Sequence, residues 1–311
     1  MVYNKRPLSI DDQVTQLQSR GMQIASIERA KHYLTHIGYY RLSAYWLPFE
    51  LPVASGASRN HNFNAGTTFD QVLSLYIFDR KLRLLVMEAI ERIETATRAH
   101  WANAMAMRHG AHAYLKSELF KDPWDHSNDV ADRAKDLKTS GDTFVVHYRD
   151  TYKKPFMPPI WAVVETMSLG TLSRWFKSTK ATAVKNEVAR SFGMPKIEIF
   201  EQVLHALTPI RNICAHHGRL WNRRLILQLP NIKRLIHEMV IETVPSTSGT
   251  PQKQAARQVY NYLLVLAHLM KPINPGTSWI RRLASHVQTI PVAQQQAMGF
   301  PGGWQSMNIW R

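Results

Sequence analysis

The chain has 311 residues, 45% of them hydrophobic and 20% charged, an ordinary globular balance with enough length to bury a large core. At roughly 150 residues per domain, that length predicts about two domains or one elaborated one. Lys and Arg number 39 against 23 Asp and Glu, so the formal net charge is +16 and the isoelectric point lies near 10.0. Such an excess attracts polyanions, nucleic acid first among them, while a membrane surface is disfavoured because no single basic amphipathic helix collects the charge.

Along the chain, Ser9 with Asp11 and Asp12 predicts a helix start, continued through Val14 and Leu17 to Arg20 and stopped by Gly21. A second helix is expected over about Ser26 to Ile37, with Ile27, Ala30, Leu34 and Ile37 on one face. An aromatic run follows, from Gly38 through Tyr39, Tyr40 and Arg41 to Trp46. Residues 51 to 66, rich in Gly, Ser and Asn, read as a loop. Phe69 to about Met107 is the longest helical signal, carried by Leu82, Leu85, Val86, Ala89 and Ile93. On it, Glu88 with Arg92 and Glu94 with Arg98 are spaced as ion pairs one turn apart. A mixed polar stretch reaches Tyr152, and the proline-rich segment 153–159 reads as a rigid connector.

Helical spacing resumes from Ile160 to Phe176, with Gly170 as its break, and again from Ile197 to about His217. Further helices are expected over Asn222 to Val244 and Gln254 to Met270, joined by a flexible link at 244–251. The longest apolar helical segment, Tyr262 to Met270, contains His268 and falls well short of the ~20 residues a membrane span needs. With no apolar secretory stretch in Met1 to Arg6, the expectation is a cytoplasmic protein. The tail from Lys271 is broken by prolines. The single cysteine, Cys214, excludes an internal disulfide and a Cys-rich zinc site. The organisation expected is all-α, with a helical and aromatic segment at 1–50, a helical core at 66–271 and an irregular C-terminal tail at 272–311 packing on it.

One segment carries chemistry: Arg211-Asn212-Ile213-Cys214-Ala215-His216-His217-Gly218. An Arg followed after a few residues by His is a weak pattern alone, since Arg29 with His36 and Arg281 with His286 also satisfy it. Only Arg211 is followed by Asn and closes a helix. At ~100° per residue Asn212 and His216 share a face one turn apart, where the amide can hold the imidazole. Arg211 lies one step around, with a side chain long enough to reach the same phosphate. Gly218 reads as the C-cap, which puts His216 at the negative end of the helix.

These groups suit cleavage of RNA by its own 2′-hydroxyl. An imidazole moves the protons and a guanidinium stabilises charge building on the phosphate oxygens, giving a 2′,3′-cyclic phosphate and a 5′-hydroxyl without a metal or other cofactor. The plainer alternative is a helix end with a surface arginine and a satisfied histidine. Cys214 with His217 as a nucleophile and base is disfavoured, because no third group orients the pair and a small buried side chain suits the helix.

The same segment, extended through Arg219-Leu220-Trp221-Asn222, resembles the Abi family of abortive-infection proteins, of the AbiD and AbiF type, within the HEPN superfamily. Other stretches resembling it are Lys5 to Leu8, Arg20 to Met22, Ile37 to Tyr45, Glu91 to Glu94 with Arg98, Pro159 to Trp161 with Glu165, Ser168 to Gly170, and Met298 to Pro301 with Trp304. The resemblance implies an all-helical HEPN-type bundle, RNA cleavage, and a role in phage defence or growth arrest as a toxin held in check. It further implies a homodimer whose two subunits bring Arg211 and His216 into one cleft, an arrangement twofold symmetry makes easy. Arg211, His216 and Asn212 are the catalytic candidates, and the family pattern leaves His217 as the alternative reacting histidine.

For RNA binding, His217, Arg219, Arg223 and Arg224 stand close to the motif and can position a phosphate backbone. Tyr39, Tyr40 and Arg41 can stack on unpaired bases, against the alternative that these aromatics pack the N-terminal helices. Lys153 and Lys154 are weaker candidates. Glu94 reads first as the surface partner of Arg98, and second as a carboxylate orienting Arg211. The main expectation is a metal-independent endoribonuclease bound or restrained by a structured RNA. The alternative is a non-catalytic RNA-binding scaffold, and a DNA-binding regulator is disfavoured by the lack of a helix-turn-helix pair.

Overall fold

A computed structural model describes residues 6–53, 58–194, 196–245 and 250–311. Parts of the predicted loop (54–57) and of the predicted link (246–249) lie outside these residues. The chain divides into two compact units, Met1–Leu82 and Arg83–Arg311. Among the described residues there are thirteen α-helices and one two-stranded sheet, so the fold is mainly helical.

In the first unit, α1 (Ile10–Ser19) begins where the side chain of Ser9 accepts a hydrogen bond from the Asp12 amide. It ends in a Schellman cap: Met22 N–H donates to the Leu17 carbonyl at 3.1 Å and Gly21 N–H to that of Gln18 at 2.9 Å. Gly21 takes the left-handed position, φ +92°, which an L side chain resists. The second helix, α2 (Ile27–Ile37), is capped by Ser26 and buries Ala30 and Leu34, while Ile27 at its first turn is exposed. The aromatic run folds as α3 (Tyr39–Trp46). Tyr45 and Trp46 are buried, and the Tyr45 hydroxyl donates to the Asp79 carboxylate at 2.6 Å. Asp79 stands on α4 (Phe69–His109), a helix of 41 residues and thus about 60 Å long. Its residues up to Leu82 belong to the first unit.

In the second unit, the rest of α4 is followed by two helices that apolar spacing does not predict. The N-terminus of α5 (Pro123–Thr139) is capped by Asp122, which accepts from the amides of Trp124 and Asp125, with Pro123 at the first helical position. Its buried face is mainly polar: His126, Asp129 and Arg133, with Leu137. Next come α6 (Thr143–Thr151), the short α7 (Ile160–Val163) and α8 (Leu169–Ser178). The predicted break falls before Gly170, at Ser168, whose hydroxyl caps α8. A Cβ at Gly170 would stand 3.2 Å from Thr208 Cγ2, so the glycine serves the close packing of α8 on a later helix. Then α9 (Thr182–Ser191) and α10 (Ile197–Ala215) follow; α10 carries Thr208 and packs on both α8 and α9.

The helix expected over 222–244 is absent. Leu225, Leu229, Ile232, Leu235 and Met239 are buried at helix-like spacing, but the chain reaches that burial through an irregular stretch at Pro230 and successive turns over 233–238. Its end forms β1 (Ile241–Val244), paired antiparallel with β2 (Gln252–Ala255), so the expected start of the next helix at Gln254 is a strand instead. The helix itself, α11 (Val259–Ile273), buries every residue from Val259 to Ala267, and is the central element of this unit's core. Asn261 is the polar hub of that core. Its side chain accepts from Val240 N–H at 2.9 Å and donates to the carbonyls of Val240 and Ala256, each at 2.8 Å.

The tail is more ordered than its prolines suggest. It contains α12 (Trp279–Val287) and α13 (Val292–Ala297), and buries Trp279, Phe300, Trp304 and Trp310. Trp279 Nε1 donates to the Leu85 carbonyl on α4 at 2.7 Å, and Tyr260 N–H on α11 to that of Met298 at 3.0 Å. Gly299 has φ +92°, and a Cβ there would stand 2.7 Å from Gln258 Cβ, so only glycine fits. Among the described residues no helix is long and apolar enough to cross a membrane.

Candidate active site

The motif occupies the last turn of α10 and its exit. His216 is the C-cap, and its N–H donates to the Asn212 carbonyl at 2.9 Å. His217 N–H donates to the Cys214 carbonyl at 3.1 Å and Gly218 N–H to that of Ile213 at 2.8 Å. This is the same Schellman geometry that closes α1, with one difference: the left-handed position belongs to His217, φ +57°, and not to a glycine. Gly218, expected as the cap, lies one residue further on. A Cβ there would approach the Ile213 carbonyl to 3.3 Å. Leu220 and Trp221 follow at once and are buried, with Trp221 Nε1 donating to the Gln294 carbonyl at 3.3 Å. The cap therefore sits on an anchored exit, while both imidazoles are exposed.

Arg211 points elsewhere. It lines a cleft of about 520 Å³ together with Glu88, Glu91, Glu94 and Arg98 of α4. Five residues along a helix correspond to about 140° of rotation, which separates the guanidinium from His216 within one chain. Arg98 is clamped by the Glu94 carboxylate, the Met167 carbonyl and, at 3.5 Å, Glu165. Glu94 is 8% exposed, and burial pushes its carboxyl above the usual range against the pull of Arg98 and then Arg211. Glu94 thus pairs with Arg98 as its spacing suggests, but as a largely buried pair and not a surface one, and Arg211 lines the same cleft. Among the described residues Arg211 Nε, which is buried, has no hydrogen-bond partner.

Asn212 is exposed, and among the described residues no side-chain hydrogen bond joins it to His216; the tie between them is backbone. The other RNA-binding candidates separate. Arg219 and Arg223 are half-buried beside the cap, with Arg223 Nη1 donating to the Arg219 carbonyl at 3.4 Å. Arg224 is held by both carboxylate oxygens of Glu242 at 2.7 and 2.8 Å, which ties it to β1. In the first unit, Tyr39 is half-buried, accepts from Arg20 at 2.9 Å and meets Trp46 edge to face. Tyr40 is 91% exposed. Cys214 is buried within α10, as packing predicts. Among the described residues no three of His, Cys, Asp and Glu gather as a metal site.

Neither curated proteins nor solved structures give a match to the chain. Known families do: residues 32–222, more than half of the chain, match the Abi-like protein family, and that span takes in α10, its histidine cap and the anchoring Leu220 and Trp221. The chain therefore belongs to the Abi-like family of abortive-infection proteins.

Proposed function

We propose that this protein is a HEPN-type endoribonuclease of phage defence by abortive infection, using Arg211 and His216 without a metal. The observation that carries this reading is the end of α10: an imidazole exposed on an anchored cap, at the negative end of a helix whose Arg211 is set against Glu94. His216 accepts the proton of the attacking 2′-hydroxyl or returns one to the leaving 5′-oxygen. Arg211 neutralises charge gathering on the phosphate. Glu94 and Arg98 limit where that guanidinium rests.

Arg211 and His216 diverge on one helix, which fits a shared site: the Arg211 of one subunit serves the His216 of its partner across a twofold axis. The net charge of +16 exceeds what one cleft needs, and supports a structured RNA that binds and restrains the dimer. The same charge is what favours the second reading, an RNA scaffold without catalysis. The test is cleavage of end-labelled RNA by the full-length protein in EDTA, with His216→Ala and Arg211→Ala alongside and product ends mapped. Cyclic phosphates that vanish in both variants are expected. Tight binding without cleavage by the wild-type protein would move the reading to the scaffold.

A further inference from the structure

Two adjoining grooves are lined mainly by residues 134–162 and share no lining residue with the end of α10. The first, about 520 Å³, lies between α5, α6 and the connector after α6, and is floored by Leu137, Val145, Tyr148, Tyr152, Phe156 and Met157. The second, about 640 Å³, shares Tyr148 and Tyr152 with it and adds Phe144 and Trp161. The two tyrosine rings form the wall between them, centroids 5.0 Å apart.

Two features make this surface unusual. First, its aromatic rings are exposed on a backbone tied to the fold by hydrogen bonds. The Tyr148 hydroxyl donates to the Pro155 carbonyl at 2.9 Å and the Tyr114 hydroxyl to that of Pro158 at 2.7 Å. Between those anchors Phe156 is 72% exposed, with Tyr152 at 51% and Trp161 at 56% beside it. Leaving such rings in water forgoes the burial that aromatic side chains normally find, and a contiguous exposed cluster marks a binding surface. Second, every charged residue lining the first groove is a cation: Lys135, Lys138, Arg149 and Lys153. Among the described residues none of the four is in an ion pair. Asp136, Asp142 and Asp150 of the same stretch line neither groove. The second groove adds Lys154 and one acid, Glu165, which faces Arg98 at 3.5 Å.

We propose that these grooves bind single-stranded RNA, with unpaired bases stacked on Phe156, Tyr152 and Trp161 and the backbone phosphates on Lys135, Lys138, Arg149 and Lys153. Rings in two successive compartments suit consecutive bases, and an all-cationic rim suits the chain of phosphates that links them. An apolar groove for a neutral peptide would not need that rim. The inference rests on RNA being the partner, as the reading above does, but not on cleavage.

The test is binding of a fluorescein-labelled 2′-O-methyl oligouridine of about 12 nucleotides, which the 2′-hydroxyl mechanism cannot cut, to full-length protein. Phe156→Ala and Tyr152→Ala are each expected to weaken binding about five- to tenfold, the lower range for loss of one stacked base. Phe156→Trp restores the affinity, because the stacking face is kept. In the double variant Lys138→Glu with Lys153→Glu, the slope of log affinity against log salt falls by about 1.4, the single-strand value for two phosphate contacts. Affinities within twofold of wild type for both alanine variants, or no binding by the wild-type protein, overturn the proposal. So does equal binding of duplex and single strand. A shift from dimer to monomer on sedimentation of Phe156→Ala, with affinity unchanged, would assign the rings to a contact between copies. Loss of binding in the alanine variants with no cleavage by wild type would sink the ribonuclease reading and leave this one standing.

Discussion

Replacing His217 by glycine should stabilise the protein. Two helices close with the same pair of hydrogen bonds, yet α1 puts Gly21 in the left-handed position and α10 puts His217 there, at φ +57°. An L residue in that conformation costs about 1–2 kcal/mol. Glycine removes the cost but loses more backbone freedom on folding, about 0.5–1 kcal/mol. His217 is exposed, so little burial is lost, and the two cap bonds are made by backbone groups that glycine retains. The net expectation for His217→Gly is a gain of about 0.5–1 kcal/mol, or roughly 1–2 °C in Tm for a chain of this size. Urea denaturation with an unchanged m-value measures it. If His216 is the reacting histidine, His217→Gly keeps most of the RNA cleavage that His216→Ala abolishes. A loss of 1 kcal/mol or more on His217→Gly would refute the reasoning, since the imidazole's own contacts, and not the backbone, would then be holding the helix end.

Other substitutions probe the core of the second unit. Lys185 and Glu201 form an ion pair whose side chains are only 6% and 12% exposed, so Lys185→Met, which strands the carboxylate, should cost about 3–5 kcal/mol in urea melts. The double change Lys185→Met with Glu201→Met should recover most of that loss. Asn261→Leu removes three hydrogen bonds and leaves Val240 N–H without its acceptor, a loss of about 2–4 kcal/mol by the same assay. Burial holds His268 below the usual histidine range, with a backbone hydrogen bond to Gly193 pulling the other way. The folded state thus binds this proton less readily than the unfolded one. Its stabilising effect is whole above about pH 6.5 and drains away as pH falls through the unfolded value toward the depressed folded one. Stability measured between about pH 5 and 8 should fall more steeply for wild type than for His268→Gln.

Much of the helical layout is local chemistry written along the chain. Ser9, Gly21 and Ser26 cap the first helices as residues of their kind do anywhere, and the apolar stripe of α4 is buried at Leu82, Val86, Ala89, Ile93 and Trp101. The Arg211 to His216 segment is likewise legible, because a helix that ends in Ala-His-His-Gly closes within four residues of itself. What the sequence leaves open is which polar groups find partners far away. The buried face of α5 is invisible to apolar spacing, because His126 meets the Tyr114 carbonyl and Asp129 meets Arg174, partners outside the helix, while Arg133 reaches both the Thr166 carbonyl and Asp136 one turn along. Its only local sign was Asp122 before Pro123. Conversely, the spacing of Leu225 to Met239 imitates a helix, but periodic burial does not require one when Pro230 interrupts the hydrogen-bond ladder and neighbouring backbone supplies the partners. The site divides in the same way. Its residues are a contiguous string, but only the tertiary fold decides that Arg211 enters a cleft lined by Glu94 while His216 faces solvent, because a guanidinium is drawn to whichever carboxylate the fold brings near it.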